Sequence, residues 1–249
     1  MHVCLFISLA VQTQTCIGRR TTICLLTINK HDCFLSAMAT TMNRMAGTAR
    51  ADATQTQQSL KSAQTRARLV DAVIRCIVKY GYNKTTTPRI AEEAGLSRGA
   101  MLHHFENGTA LIKTTIIELH EKRLRAFRRA SDSGHDPTHL VQAYWRQVQK
   151  PGFIAFHELA LAARTDPDLA KILHPLQVEF RERFHQEAVE MFPEWRADPK
   201  SFDRAMTLSQ VVIEGMASSK LTGSLDEAMI EPMLTMLEDQ IRTMKPKGG

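Results

Sequence analysis

The 249-residue chain lacks most of the signals that announce chemistry. It has no CxxC pair, no glycine-rich phosphate loop and no nucleophile elbow, and no carboxylate pair or Cys/His arrangement is spaced to converge on a reacting atom. An enzyme therefore stands as the competing class without a sequence signal of its own. Metal binding is equally unsupported. Among the ten histidines, His120, His157, His174 and His185 show no HxxxH or HxxE spacing, and the adjacent His103 and His104 point to different faces of a helix. No stretch alternates as a strand does, so the fold class expected is all-α. Cysteine is scarce outside one region. Four of the five lie in the first 33 residues, and Cys76 alone falls in a credible helix, where it shares the stripe of Val73, Ile74 and Ile77. A buried thiol in a reducing, cytoplasmic setting is the expectation. The apolar run Val3–Val11 has no basic residues ahead of it, is too short to span a bilayer and leads to no small-residue cleavage site; no membrane partner and no cofactor are expected.

What is present is unevenly distributed. The formal charge of +6 and pI near 9.2 hide a basic middle. Residues 61–129 carry 14 cationic against 6 anionic side chains, whereas 130–249 carry 13 against 18. A basic segment suits phosphate, as in nucleic acid or acidic lipid. Residues 1–58 show neither helical nor strand period and read as a disordered or mis-annotated extension, with Met38, Met42 and Met45 as candidate starts and a signal peptide as the alternative. Lys61 to Tyr80 is an amphipathic helix on Val70, Val73, Ile74 and Ile77.

The stretch Thr86–Phe105, TTPRIAEEAGLSRGAMLHHF, organises the rest. A helix over Pro88–Ala94, a glycine at 95 and a second helix over Ser97–Phe105 leave room only for a tight turn, which makes a helix-turn-helix. Ala91 must be small where the helices cross, Gly95 takes the left-handed exit, and Met101 returns the second helix to the first, with Ile90, Ala94, Leu96 and Phe105 completing the inner surface. Arg98, Gly99, Ala100, Leu102 and His103 remain outside on the second helix, and Thr86 and Thr87 stand at the start of the first. That face suits a DNA major groove, Arg98 reading guanine and the threonines and His103 meeting phosphate. An ordinary helical hairpin in a bundle core is the plain alternative.

Here the sequence resembles the TetR family of transcriptional regulators. The resemblance rests on IAEEAGLSRGAMLHHF, preceded by a helix ending in Val78-Lys79-Tyr80-Gly81-Tyr82 and followed by a long helix beginning near Leu111, and covers about residues 65–119. It implies a three-helix DNA-binding domain over 59–108, a connecting helix over 109–131, and a helical effector-binding and dimerisation domain over 132–249. It also implies a palindromic operator, a homodimer and, more than activation, repression. Two departures stand out. Family members commonly carry Tyr at the position of Leu102 and Lys at that of Gly108, both implied phosphate contacts. A helical effector-binding or interaction protein with weakened DNA binding is the reading these departures leave open.

Beyond the turn-rich break SDSGHDP at 131–137, helical periods continue. Asp166 or Thr165 is expected to cap one long helix that Pro175 should kink or split, and helices over Asp198–Leu221 and Ser224–Met244 close the chain. The family implies a small-molecule pocket, and Trp145, Phe153, Phe156, His157, Phe180 and Phe184 are its candidate lining, suited to an apolar or aromatic effector. The alternative is that these residues fill the core. On the last two helices Met206, Val212, Ile213, Met216, Met229, Met233, Met236 and Leu237 exceed one inward stripe, and the family implies a four-helix dimer interface there.

Overall fold

A computed structural model describes residues 57–246. The extension read over 1–58 lies outside the described residues, except that 57 and 58 are helical. Helix α1 occupies 57–80, four residues more than its apolar period demanded at the front. It is followed by α2 (Thr87–Glu93), α3 (Arg98–His104), α4 (Gly108–Asp132), α5 (Pro137–Val148), α6 (Pro151–Ala162), α7 (Pro167–Met191), α8 (Pro199–Leu221) and α9 (Ile230–Met244). No strand occurs among the described residues.

Proline and short polar side chains mark where helices begin. Pro opens α5, α6, α7 and α8, where a missing N–H costs nothing. Asp136, Asp166 and Asp198 cap three of these, Asp166 accepting from the N–H groups of Asp168 and Leu169 at 3.1 and 3.0 Å. Three expectations shift. Pro175 does not split α7, which runs unbroken for 25 residues, its neighbours Leu173, Leu176 and Phe180 being held by packing. Helix α4 runs to Asp132, into the break expected at 131–137, which shrinks to 133–136. The last helix starts late, because Asp226 caps a short 3-10 turn, Glu227–Met229, ahead of α9.

The core does not divide where the chain does. One apolar cluster joins α1 (Leu69, Val73, Ile77), α2 (Ile90), α3 (Met101) and the first half of α4 (Leu111, Ile116) to Phe156 and Leu159 of α6 and Leu169 and Leu173 of α7. A second joins Val141 and Val148 of α5, Phe153 of α6, Ile213 and Met216 of α8, and Leu234 and Leu237 of α9. Helix α6 thus enters both clusters, three residues apart. Gly152 packs so closely that a Cβ there would stand 3.2 Å from Leu119 Cδ2. Tyr82 adds a hydroxyl that donates to Asp166 Oδ2 at 3.4 Å, tying the loop before α2 to the start of α7.

Candidate nucleic-acid interface and cavity

The turn between α2 and α3 is built by its backbone. Gly95, at φ +60°, sends its N–H to Glu92 O at 2.8 Å while the Leu96 N–H reaches Ala91 O at 2.9 Å, the paired closure of a Schellman turn. Ser97 then caps α3, its Oγ accepting from Ala100 N at 3.1 Å. Met101, Ile90, Ala91, Ala94 and Phe105 are buried beneath, which matches the inner surface read from the spacing.

The arginines of α1 tie this unit together while remaining exposed. Arg68 donates to Ala94 O at 2.6 Å and Gly95 O at 3.0 Å; Arg75 pairs with Glu93 at 2.6 Å. Arg66 donates to His104 O and lies 4.1 Å over the Phe105 ring. Sequence reasoning missed these roles, because a helical wheel shows only that the three are off the apolar stripe.

Opposite them the outer face is open. Thr86, Arg98, Gly99, Leu102 and His103 are exposed, and Thr87 and Ala100 are half-buried. Arg98 makes no hydrogen bond or ion pair among the described residues. His104, by contrast, is half-buried with Nδ1 at 3.5 Å from Ser62 Oγ of α1. Helix α4 begins beside α2: Asn107 caps it, accepting from Ala110 N at 2.8 Å, and a Cβ on Gly108 would stand 3.4 Å from Thr87 Oγ1. The starts of α2 and α4 and the face of α3 therefore form one surface.

Behind it lies a cavity of about 550 Å³ bounded by α4, α5, α7 and α8. Its wall is aromatic: the tilted rings of Phe127 and Phe184 lie 4.6 Å apart, those of Phe180 and Phe184 5.6 Å, and Phe192, Trp195 and Phe202 close one end. Its polar end holds Arg123 and Tyr144, half-buried, which both donate to Glu214 Oε1 at 2.7 Å. Burial pushes the Tyr144 phenol up, so it stays a donor at neutral pH. Arg123 also lies 4.9 Å over the Phe180 ring. Just outside, His120 stacks on Phe180 at 4.4 Å and its Nε2–H donates to Gln177 Oε1 at 3.1 Å. Burial, helped by the Arg123 charge, lowers its pKa to about 4.

Of the six candidate lining residues, Phe180 and Phe184 reach this cavity. Phe153 and Phe156 line a smaller one of about 410 Å³ on the other side of Arg123 and Tyr144. Trp145 packs on the second core cluster, the His157 Nδ1 is spent on Phe153 O at 3.0 Å, and neither lines either of these two cavities. Phe127, Phe192, Trp195 and Phe202, which also line the larger cavity, were missed. The candidate interface residues also separate. Met206 and Ile213 line the larger cavity, and Met216 and Leu237 are core, because α8 and α9 pack on α5 and on each other. Val212 and Met233 are half-buried against that core, while Met229 and Met236 are 47% and 57% exposed. Val211, not anticipated, is 65% exposed.

A three-helix unit with an open second-helix face, joined to an all-helical bundle around an aromatic cavity, is the architecture of a helix-turn-helix regulatory protein. Residues 69–114 match the bacterial regulatory proteins of the tetR family. An HTH-type transcriptional regulator of Mycobacterium bovis, itself uncharacterised, is 30% identical over 193 residues, which is 72% of this chain and 95% of that one. The HTH-type transcriptional regulator TtgR of Pseudomonas putida is 35% identical over 115 residues, 46% of this chain, and that match spans about half (51%) of the length of TtgR. The structure of Salmonella enterica GusR shares the fold at a TM-score of 0.55 and 20% identity, over 72% of this chain and 96% of that one. The chain belongs to the tetR family.

Proposed function

We propose that the chain is a homodimeric, effector-responsive transcriptional repressor that binds a palindromic operator. The observation that carries this reading is the open face of α3, with Arg98 unengaged while the other nearby arginines, Arg66, Arg68, Arg75 and Arg89, are engaged within the unit. Arg98 meets guanine O6 and N7 in the major groove, and Thr86, Thr87 and His103 meet phosphate. Gly99 and Ala100 let the helix approach the bases closely. A second copy packs on Val211, Met229, Met233 and Met236, which places two recognition helices on successive half-sites. The effector is a small apolar or aromatic molecule in the larger cavity, where Phe180 and Phe184 supply area and Arg123, Tyr144 and Gln177 supply orientation.

The test is a gel shift with a palindromic fragment from the gene's own upstream region. The dimer should retard it in preference to random DNA, with affinity falling steeply as salt rises, because phosphate contacts release counterions. One observation favours a second reading. Leu102 is 42% exposed yet offers no donor to phosphate, and Gly108 offers none either, which is the pattern of weakened DNA binding. Equal affinity for operator and random DNA at moderate salt would establish that reading; turnover of a bound compound would instead establish an enzyme.

A further inference from the structure

The smaller cavity lies where α1 meets α4 and α6, and its chemistry differs from that of its neighbour. Its floor is apolar, formed by Ile74, Leu119, Val148, Phe153 and Phe156. Its walls carry six cationic side chains, Arg75, Lys122, Arg123, Arg125, Arg129 and Lys150, against the single carboxylate of Asp71. Four of the six have carboxylate partners: Arg75 with Glu93, Lys122 with Asp71, Arg123 with Glu214 and Arg125 with Glu118. Arg129 and Lys150 have none among the described residues, Lys150 Nζ donating only to the neutral Gln147 Oε1 at 2.9 Å. DNA is not the partner of this charge. Lys122 lies 14 residues along α4 from Gly108, about 21 Å from the surface that α3 and the start of α4 share.

We infer that this cleft is a second ligand site, for an amphipathic organic anion whose phosphate or carboxylate head sits between Arg129, Lys150 and Lys122 and whose apolar body covers Phe153 and Phe156. Two uncompensated cations above an apolar floor match one or two negative charges on a hydrocarbon or aromatic body. Arg123, Tyr144 and Gln147 border both cavities and form the wall between them. An anion in the cleft competes with Asp71 for Lys122, the one ion pair that joins α4 to α1 among the described residues. This site is independent of the effector reading above, and its test reads binding without DNA.

The experiment is calorimetric titration of the full chain with octyl phosphate, octanoate and 1-octanol at low salt. Octyl phosphate should bind at one site per chain, octanoate more weakly, and octanol at least about tenfold more weakly than the phosphate. Charge reversal at the two exposed cations, Arg129→Glu with Lys150→Glu, should cost octyl phosphate at least about tenfold, with an unchanged melting temperature. If the double variant melts early, Arg129→Gln alone should still weaken octyl phosphate and leave octanol unaffected. Phe184→Trp, which narrows the larger cavity, should leave octyl phosphate binding within about twofold. No binding, octanol binding as tightly as the phosphate, indifference to the charge variants, or loss of binding in Phe184→Trp would each overturn the inference, the last by placing the ligand in the larger cavity.

Discussion

Arg98, Gly108 and His120 each isolate a different physical quantity. Arg98 is exposed and unengaged, so Arg98→Ala removes the proposed base contact without disturbing the core; it should cost about 1–3 kcal/mol on the cognate site and relax preference at one symmetric base pair. Gly108→Lys does the reverse. The Cβ has room at 3.4 Å from Thr87 Oγ1, so the new ammonium should raise affinity for operator and random DNA alike and steepen the salt dependence by up to about two units per dimer. If the lysine adds nothing in fluorescence anisotropy titrations and Arg98→Ala weakens all sequences equally, the helix is docked differently. His120 reports on the fold. Its pKa falls from the usual 6.5 to about 4 on folding, so the unfolded chain binds the proton more readily between those values. The stability this histidine permits is complete above about pH 6.5 and is lost as pH falls toward 4, by about 2–3 kcal/mol at pH 4.5. His120→Phe keeps the ring stack on Phe180 and removes the titration, so urea unfolding at pH 7 and pH 4.5 should show that much less acid sensitivity than the parent chain.

Among the elements, α8 and α9 carry the least explained surface. Val211 and Met236 are 65% and 57% exposed in the single chain, an unusual place for large apolar side chains unless covered. Val211→Asp with Met236→Glu should therefore convert the proposed dimer into a monomer in sedimentation velocity while helical circular dichroism is retained. An unchanged dimer would move the interface elsewhere. Much of the architecture was legible because helix starts are local chemistry: Pro137, Pro151, Pro167 and Pro199 announce theirs, and the Ala91, Gly95 and Met101 spacing announces the turn. The end of one element and the start of another were less legible where side chains outvote backbone preference, as at Pro175, which neighbouring packing holds inside α7. The cavity was the least legible part. Its aromatics come from α4, α7, the turn after α7 and α8, and periodicity says which side of a helix is apolar but not whether that side meets another side chain or a void. Trp145 and Phe184 look alike in sequence and part ways on that point.

For the whole molecule, the decisive feature is that α6 enters two apolar clusters, with Phe153 in one and Phe156 and Leu159 in the other. The three N-terminal helices do not close a core of their own; Ile77, Ile90 and Met101 share theirs with α6 and α7. Heating should consequently give one calorimetric transition, in which the α1 and α6 signals are lost together, and separate melting of the first three helices would show the clusters to be uncoupled. The same feature sets the grain of the protein's fluctuations. Backbone amides in α1 and around Leu159 should exchange with deuterium through a common opening at a common free energy, and residues 57–108 cut out as a fragment should exchange as an unfolded peptide. On that outcome the helix-turn-helix unit is not a detachable module: its order is borrowed from the bundle behind it.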